Sequence, residues 1–315
     1  MGGTLFACIW VVYKTTHPTL PSAQDPILFY STQTSDDLRV LFKKAIETTK
    51  NTLLLQIYGC TDPNLLNELQ KAHNRRVKIQ LLYDPSGSGA LNKKLPFAIP
   101  LSCQGLMHKK ILVCDEETVF FGSANLTPTS LRMHDNIVVG VYHPELASFL
   151  LKSLDNHLLF YIKGQRAEFW HLPDFHHQCL ERILESIRQA KNSIHLALFT
   201  FTHPLILQEL IKAHQRGIHL HIALDFYTAN GASKGVIQTL CKEGITPWIG
   251  PSNKLLHHKW ALIDENTLLI GSANWTRLAF QKNEDCLFIL HDLTNLQKNY
   301  FRKIWKELEK NATRA

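Results

Sequence analysis

The stretch LLHHKWALIDENTLLIGSANWT, Leu255–Thr276, sets two histidines, a lysine, an aspartate, a serine and an asparagine along two apolar runs joined by a polar turn. It occurs twice. GLMHKKILVCDEETVFFGSANLT, Gly105–Thr127, carries the same residues at the same spacing, His-x-Lys-x4-Asp-x6-Gly-Ser-x-Asn. One such block is compatible with a buried hairpin that happens to hold polar residues. Two blocks with identical spacing point to shared chemistry.

The repetition extends outward from the motif. KNTLLLQIYGCTDPNLLNELQKAHNRRVKIQLLYD (Lys50–Asp84) aligns without a gap to KNSIHLALFTFTHPLILQELIKAHQRGIHLHIALD (Lys191–Asp225), with 13 of 35 positions identical. A duplicated unit of this length is too long for a solenoid repeat and suits two similar domains. Within each copy an apolar run (Leu53–Tyr58; Ile194–Phe199) predicts a strand. A turn at Pro63 or Pro204 leads into a helix with apolar residues at helical spacing, and a second strand follows (Val77–Tyr83; Ile218–Leu224). Strand, helix, strand implies a parallel pair and an α/β fold. The motif adds a hairpin, and helices near Pro144–Phe160 and Asn295–Lys310 close the copies. Gly164 and Pro173 mark Tyr161–Phe175 as a linker between a first lobe at 25–160 and a second at 176–315.

The chain is long enough for two such domains, with 45% hydrophobic residues, no low-complexity tract and a formal charge of +7. That charge favours an anionic partner, nucleic acid or phospholipid, without choosing between them. Seven cysteines, at 8, 60, 103, 114, 179, 241 and 286, are odd in number and never at ligand spacing, which argues against a disulfide framework. Cys60, Cys114 and Cys286 lie in apolar runs and read as buried thiols. In the segment 1–24, residues 4–13 form an apolar run short of the roughly 20 residues that span a bilayer. No Lys or Arg precedes it, so it makes a poor signal peptide. Anchor, export signal, strand and tail stay open, and with them secreted, membrane-associated or cytoplasmic residence.

Residues two apart on a strand share a face, which aligns His108 with Lys110, His257 with Lys259, Ser123 with Asn125, and Ser272 with Asn274. If each hairpin pairs in register, imidazole, ammonium, hydroxyl and carboxamide meet at one spot. That is a pocket for a phosphate oxyanion beside an imidazole able to attack or to protonate. No carboxylate trio accompanies it, so no metal and no cofactor are expected. His258 falls on the opposite face and reads as packing or solvated. His73, His214, His176 and His177 lie at non-ligand spacing. Asp115 and Asp264 end their strands at the turn and read as lobe-bracing or turn-capping residues that support the pocket.

This doubled pattern resembles the phospholipase D superfamily, whose His-Lys-Asp signature and trailing Gly-Ser-x-Asn both copies match, over roughly residues 27–310. The resemblance implies a phospholipase D-like pseudo-dimer of two duplicated α/β lobes, with the active site at the lobe interface, and a monomer, since both motifs lie in one chain. It implies metal-free chemistry in which one histidine forms a phosphohistidine and the other protonates the leaving oxygen. Its members often carry a carboxylate about 28 residues past each motif histidine. Here that position is Asp285 for His257 and Asn136 for His108, or Glu284 and Asp135 with a one-residue slip. A carboxylate stabilises imidazolium and an amide does so less, so His257 is expected to pair with Asp285 as the acid and His108 to be the nucleophile. Family precedent for the N-terminal histidine agrees.

Selectivity falls to the loops Asp84–Leu106 and Phe226–Leu256, which mix Lys93, Lys94, Lys234 and Lys254 with Phe97 and Trp248. Such loops suit a lipid interface, and would equally suit stacking on single-stranded nucleic acid. The expected function is hydrolysis, or transfer, of the phosphatidyl group of phospholipids. The alternatives are a nuclease of the same fold, a cardiolipin synthase-like transferase and a non-catalytic binding protein.

Overall fold

A computed structural model describes residues 18–152, 155–174 and 177–315; the apolar run at 4–13 and His176 lie outside them. The described residues of Met1–Leu101 and Ile111–Lys152 form one compact unit, and those of Ser102–Lys110 and Ser153–Ala315 a second. The nine residues Ser102–Lys110, which include His108 and Lys110 of the first motif, therefore belong with the second copy.

The first unit runs β1 (Ile27–Ser31), α1 (Leu38–Thr48), β2 (Thr52–Ile57), α2 (Pro63–Asn74), β3 (Lys78–Tyr83), α3 (Pro85–Ser88), β4 (Ala98–Pro100), β5 (Lys110–Cys114), β6 (Thr118–Gly122), α4 (Pro128–Arg132), β7 (Ile137–Tyr142) and α5 (Pro144–Lys152). Its sheet has the order β1-β7-β6-β5-β2-β3-β4. The parallel pair expected from the repeat is β2 with β3. α2 begins where the Asp62 carboxylate accepts the N–H groups of Asn64 and Leu65, with Pro63 in the first turn, where its missing N–H costs nothing. α1 is capped in the same way by Asp37.

The second unit runs β8 (His157–Ile162), β9 (Gln165–Leu172), α6 (Gln178–Gln189), β10 (Ser193–Leu198), α7 (Pro204–Gln215), β11 (His219–Leu224), α8 (Phe226–Ala229), α9 (Lys234–Lys242), β12 (Trp248–Ile249), β13 (Lys259–Ile263), β14 (Thr267–Gly271), α10 (Arg277–Gln281), β15 (Asp285–Leu290), α11 (Asn295–Asn311) and β16 (Thr313–Arg314). Its sheet order is β16-β12-β11-β10-β13-β14-β15-β9-β8. From β7 to β4, the first sheet repeats in the second from β15 to β12. Each sheet packs its own apolar cluster against its helices. β5 and β13 are buried at every position, as strands covered on both faces should be. No helix among the described residues is long and apolar enough to cross a membrane.

Two expectations are corrected here. The helix beginning at Pro144 ends at Lys152, and Phe160 lies in β8. The span Tyr161–Phe175 is no linker, because most of it is the β8–β9 hairpin. β9 pairs antiparallel with β15 as β1 does with β7, so it is the second copy's counterpart of β1, with β8 added outside it. Gly164, at φ 84°, turns that hairpin, and Pro173 follows its last strand residue. The breakers bound a strand; they do not fill a spacer.

Candidate active site

Each motif starts from its hairpin. At Asp115–Glu116 and Asp264–Glu265 both residues take positive φ, the twist that a two-residue β-turn needs. The carboxylate of Asp115 then accepts the backbone N–H groups of Lys50, Asn51 and Thr52. That of Asp264 accepts those of Lys191, Asn192 and Ser193. Both aspartates thus brace a hairpin to the start of a neighbouring strand, as their positions implied. The Gly-Ser step reflects close approach. A Cβ on Gly122 would stand 2.3 Å from the Ile137 oxygen, and one on Gly271 2.1 Å from the Cys286 oxygen. The threonines that close the motifs cap α4 and α10, Thr127 accepting from Ser130 and Thr276 from Ala279.

In the second unit His108, Lys110, Lys259, Ser272 and Asp285 come together. Asp285 opens β15, is fully buried, and its Oδ1 lies 2.8 Å from His108 Nδ1. The same oxygen accepts the Ser272 hydroxyl at 2.6 Å. The backbone seats the pair, since the N–H of His108 donates to the Glu284 oxygen at 2.7 Å. Beside it Lys109 reaches Glu284 at 3.2 Å. The two motif lysines are buried and donate backward, Lys110 Nζ to the His108 oxygen at 2.5 Å and Lys259 Nζ to the His257 oxygen at 2.9 Å. An ammonium has three protons, so a bond of this kind does not by itself exhaust a lysine's donors.

The expected pairing of Asp285 with His257 is overturned. Asp285 serves His108, a residue 177 positions away. A count of 28 residues along one copy fixes the carboxylate's place on its own sheet. It does not reveal that the segment preceding β5 lies against β15.

A second correction concerns the serines. Ser123 and Ser272 do not join the phosphate pocket. Both are fully buried and turn toward the first residue region of the next strand, Ser123 donating to Asn136 Oδ1 at 2.8 Å and Ser272 to Asp285. Asn136 also donates to the Ser130 oxygen at 2.7 Å. Asn125 accepts the Gly59 N–H at 3.2 Å, and Asn274 is half-buried. Asn125, Ser123, Asn136 and Asp115 all belong to the first unit.

Electrostatics follow from burial. Desolvation lowers the His108 pKa below the ordinary imidazole value, against an upward pull from Asp285. For Asp285, burial pushes the carboxyl up, but His108 and Lys110 outweigh it and hold it below its usual range. Burial, with Lys110 nearby, takes Lys259 well below a free lysine. His258 is packed, as expected: fully buried, edge-on to Trp260, and pushed by burial to about 3.

Two residues escaped the sequence reading. Phe199, at the end of β10, places its ring 4.9 Å from that of His257 and 5.0 Å from Lys259 Nζ. Asp225 is buried, accepts the Leu256 N–H at 3.1 Å beside His257, and attracts Lys259. The identity of Asp84 and Asp225 in the repeat was a signal for the latter. Among the described residues no group of three or more His, Cys, Asp or Glu could hold a metal ion. Two of the loop aromatics are engaged elsewhere, Arg314 covering Trp248 at 3.8 Å and Phe97 stacking on His73 at 4.6 Å, while Tyr227 is exposed.

A family model described as cardiolipin synthase, PLD-like domain matches residues 42–158 and 183–306. The chain belongs to the phospholipase D superfamily and carries its domain twice. Mitochondrial cardiolipin hydrolase of Mus musculus is 31% identical over 134 residues, 41% of this chain and 59% of that protein. The Homo sapiens protein of the same name is 31% identical over 132 residues, 41% of this chain and 51% of that one. The chain thus spans between half and three-fifths of the length of these curated relatives. The crystal structure of phosphatidylserine synthase from Haemophilus influenzae Rd KW20 covers 98% of this chain and 91% of its own. Its TM-score is 0.74 at 12% identity, a likeness of fold.

Proposed function

We propose that this protein is a metal-independent phosphodiesterase of the phospholipase D type, acting on the phosphatidyl group of phospholipids, with His108 as nucleophile and His257 as general acid. The observation that carries this is the His108 Nδ1–Asp285 contact. A carboxylate on Nδ1 keeps the proton there, so Nε2 is the nitrogen that attacks, while burial keeps the ring neutral. This replaces the earlier ground for the same assignment. It no longer depends on a carboxylate at His257.

Attack forms a bond from Nε2 to phosphorus and breaks the bond to the leaving oxygen, which takes its proton from His257. The resulting phosphohistidine ring is cationic, and Asp285 balances it. Water then attacks phosphorus, gives a proton to His257, and the P–N bond breaks. Lys110 and Lys259 supply the charge that holds the phosphate oxygens, the task for which a divalent ion is otherwise needed. The names of the cardiolipin hydrolase relatives and of the matching family support a phospholipid as substrate. The engagement of Trp248 and Phe97 takes two of the loop aromatics away from stacking on bases.

The test is to incubate the protein, with EDTA present, with phosphatidylcholine, phosphatidylglycerol, cardiolipin and single-stranded DNA in parallel. Release of phosphatidic acid is expected. Nucleotide release without lipid turnover, or activity that returns only with one added metal, overturns the proposal. Intact mass after mixing with an activated phosphodiester should show an adduct on His257→Ala and none on His108→Ala. The reverse pattern would exchange the two roles.

A further inference from the structure

Beside the reactive pair, within the second unit, stands a row of exposed leucines: Leu106 (38% exposed), Leu205 (46%) and Leu278 (59%). Backbone bonds hold their segments together. The N–H groups of Thr202 and His203 donate to the Trp275 oxygen at 2.9 and 3.0 Å, which seats the start of α7 next to α10. The rings of His203 and Phe280 meet edge-on at 5.5 Å. Lys282 and Asn283 donate to the Leu278 oxygen, and Asn283 Oδ1 accepts the Leu106 N–H at 3.1 Å. Gly105 permits this contact, since a Cβ there would stand 2.4 Å from that same oxygen. Leu106 lies two residues before His108, and Asn283 two before Asp285. The leucines therefore border the site.

Charge decides what they suit. Arg277 and Lys282 are exposed on this lip and make no ion pair among the described residues. Alongside, the carboxylate of Glu284 is taken by Lys109. We propose that this lip is a docking surface for an anionic lipid bilayer: the leucines enter below the headgroups while Arg277 and Lys282 meet the phosphates, so that a lipid phosphodiester reaches His108 without leaving the membrane. The occupant rests on the phospholipid assignment above. Leucines alone would fit any apolar partner, but uncompensated cations among them fit an anionic headgroup layer.

Leu296 provides an internal control. It is 83% exposed but follows the far end of β15, about 17 Å along the strand from Asp285. The experiment measures co-sedimentation of the full chain with phosphatidylglycerol vesicles and with phosphatidylcholine vesicles, alongside hydrolysis of a soluble p-nitrophenyl phosphodiester. Wild type should prefer phosphatidylglycerol. Leu205→Ser with Leu278→Ser should weaken binding about tenfold, and Arg277→Gln with Lys282→Gln about tenfold, with soluble turnover unchanged. Leu296→Ser should alter neither. The proposal is overturned if the lip variants bind as wild type does, if Leu296→Ser weakens binding equally, or if neutral vesicles bind as well. It is also overturned if the lip variants instead dissociate a dimer of the chain. Should wild type bind through the lip yet release nothing from the vesicles, docking stands and the phospholipid assignment fails.

Discussion

The two copies of the motif share a scaffold but differ in what their buried serine holds. In the first, Ser123 holds the amide of Asn136; in the second, Ser272 holds the carboxylate of Asp285, which in turn holds His108. Both copies share the hairpin, the bracing aspartate and the cap. At the position behind the serine the copies were free to diverge, and there the chemistry becomes asymmetric. An amide can orient an imidazole, but only a carboxylate can also balance the charge of a phosphohistidine.

The most severe way to break the asymmetry is to remove the proposed nucleophile. His108→Ala should lower kcat/KM about 10⁴-fold or more, with no phospho-adduct by intact mass. The next sharpens it. Asp285→Asn should cut kcat by about 10²- to 10³-fold, and adding Asn136→Asp should not restore it, because the carboxylate would sit on the other copy. Recovery in the double variant would show the copies to be interchangeable.

pH separates orientation from charge. Because the His108 pKa is lowered, the acid limb of kcat/KM should lie below 6.5. In Asp285→Asn, which loses the upward pull, that limb should move lower still even as the rate falls. For stability the sign follows from His258, whose folded pKa of about 3 lies below its unfolded value of 6.5. The unfolded chain therefore binds more protons in that window, and stability is lost as pH falls through it. Urea melts at pH 7 and pH 5 should differ by about 2 kcal/mol from this residue alone.

The smallest effect tests where the copies are alike. Asp115→Ala and Asp264→Ala each remove one carboxylate from three backbone N–H groups. Each should cost about 1–2 kcal/mol by chemical denaturation. Loss of stability in one but not the other would show that the brace, too, has diverged.

Much of this was legible in the sequence. The repeat gave the parallel pair, the hairpins and both motif histidines, because periodicity and spacing are local. Asp115, Asp264 and His258 were legible for the same reason. What spacing could not convey was the partner of Asp285 or the inward turn of the serines, both of which depend on chain segments far apart meeting in space. The β8–β9 hairpin was missed for a different reason. Gly and Pro mark the ends of strands as well as the interiors of linkers, and only the pairing with β15 distinguishes the two.

The nine residues Ser102–Lys110, carried in sequence by one copy and in space by the other, bear on biogenesis. The first copy can leave the ribosome with its motif written but without the acid that completes it. That acid is made 177 residues after the histidine it serves. The His108–Asp285 contact is thus among the last that the growing chain can close. Severing the chain at the repeat boundary would not yield two half-enzymes; it would leave a histidine on one fragment and its carboxylate on the other.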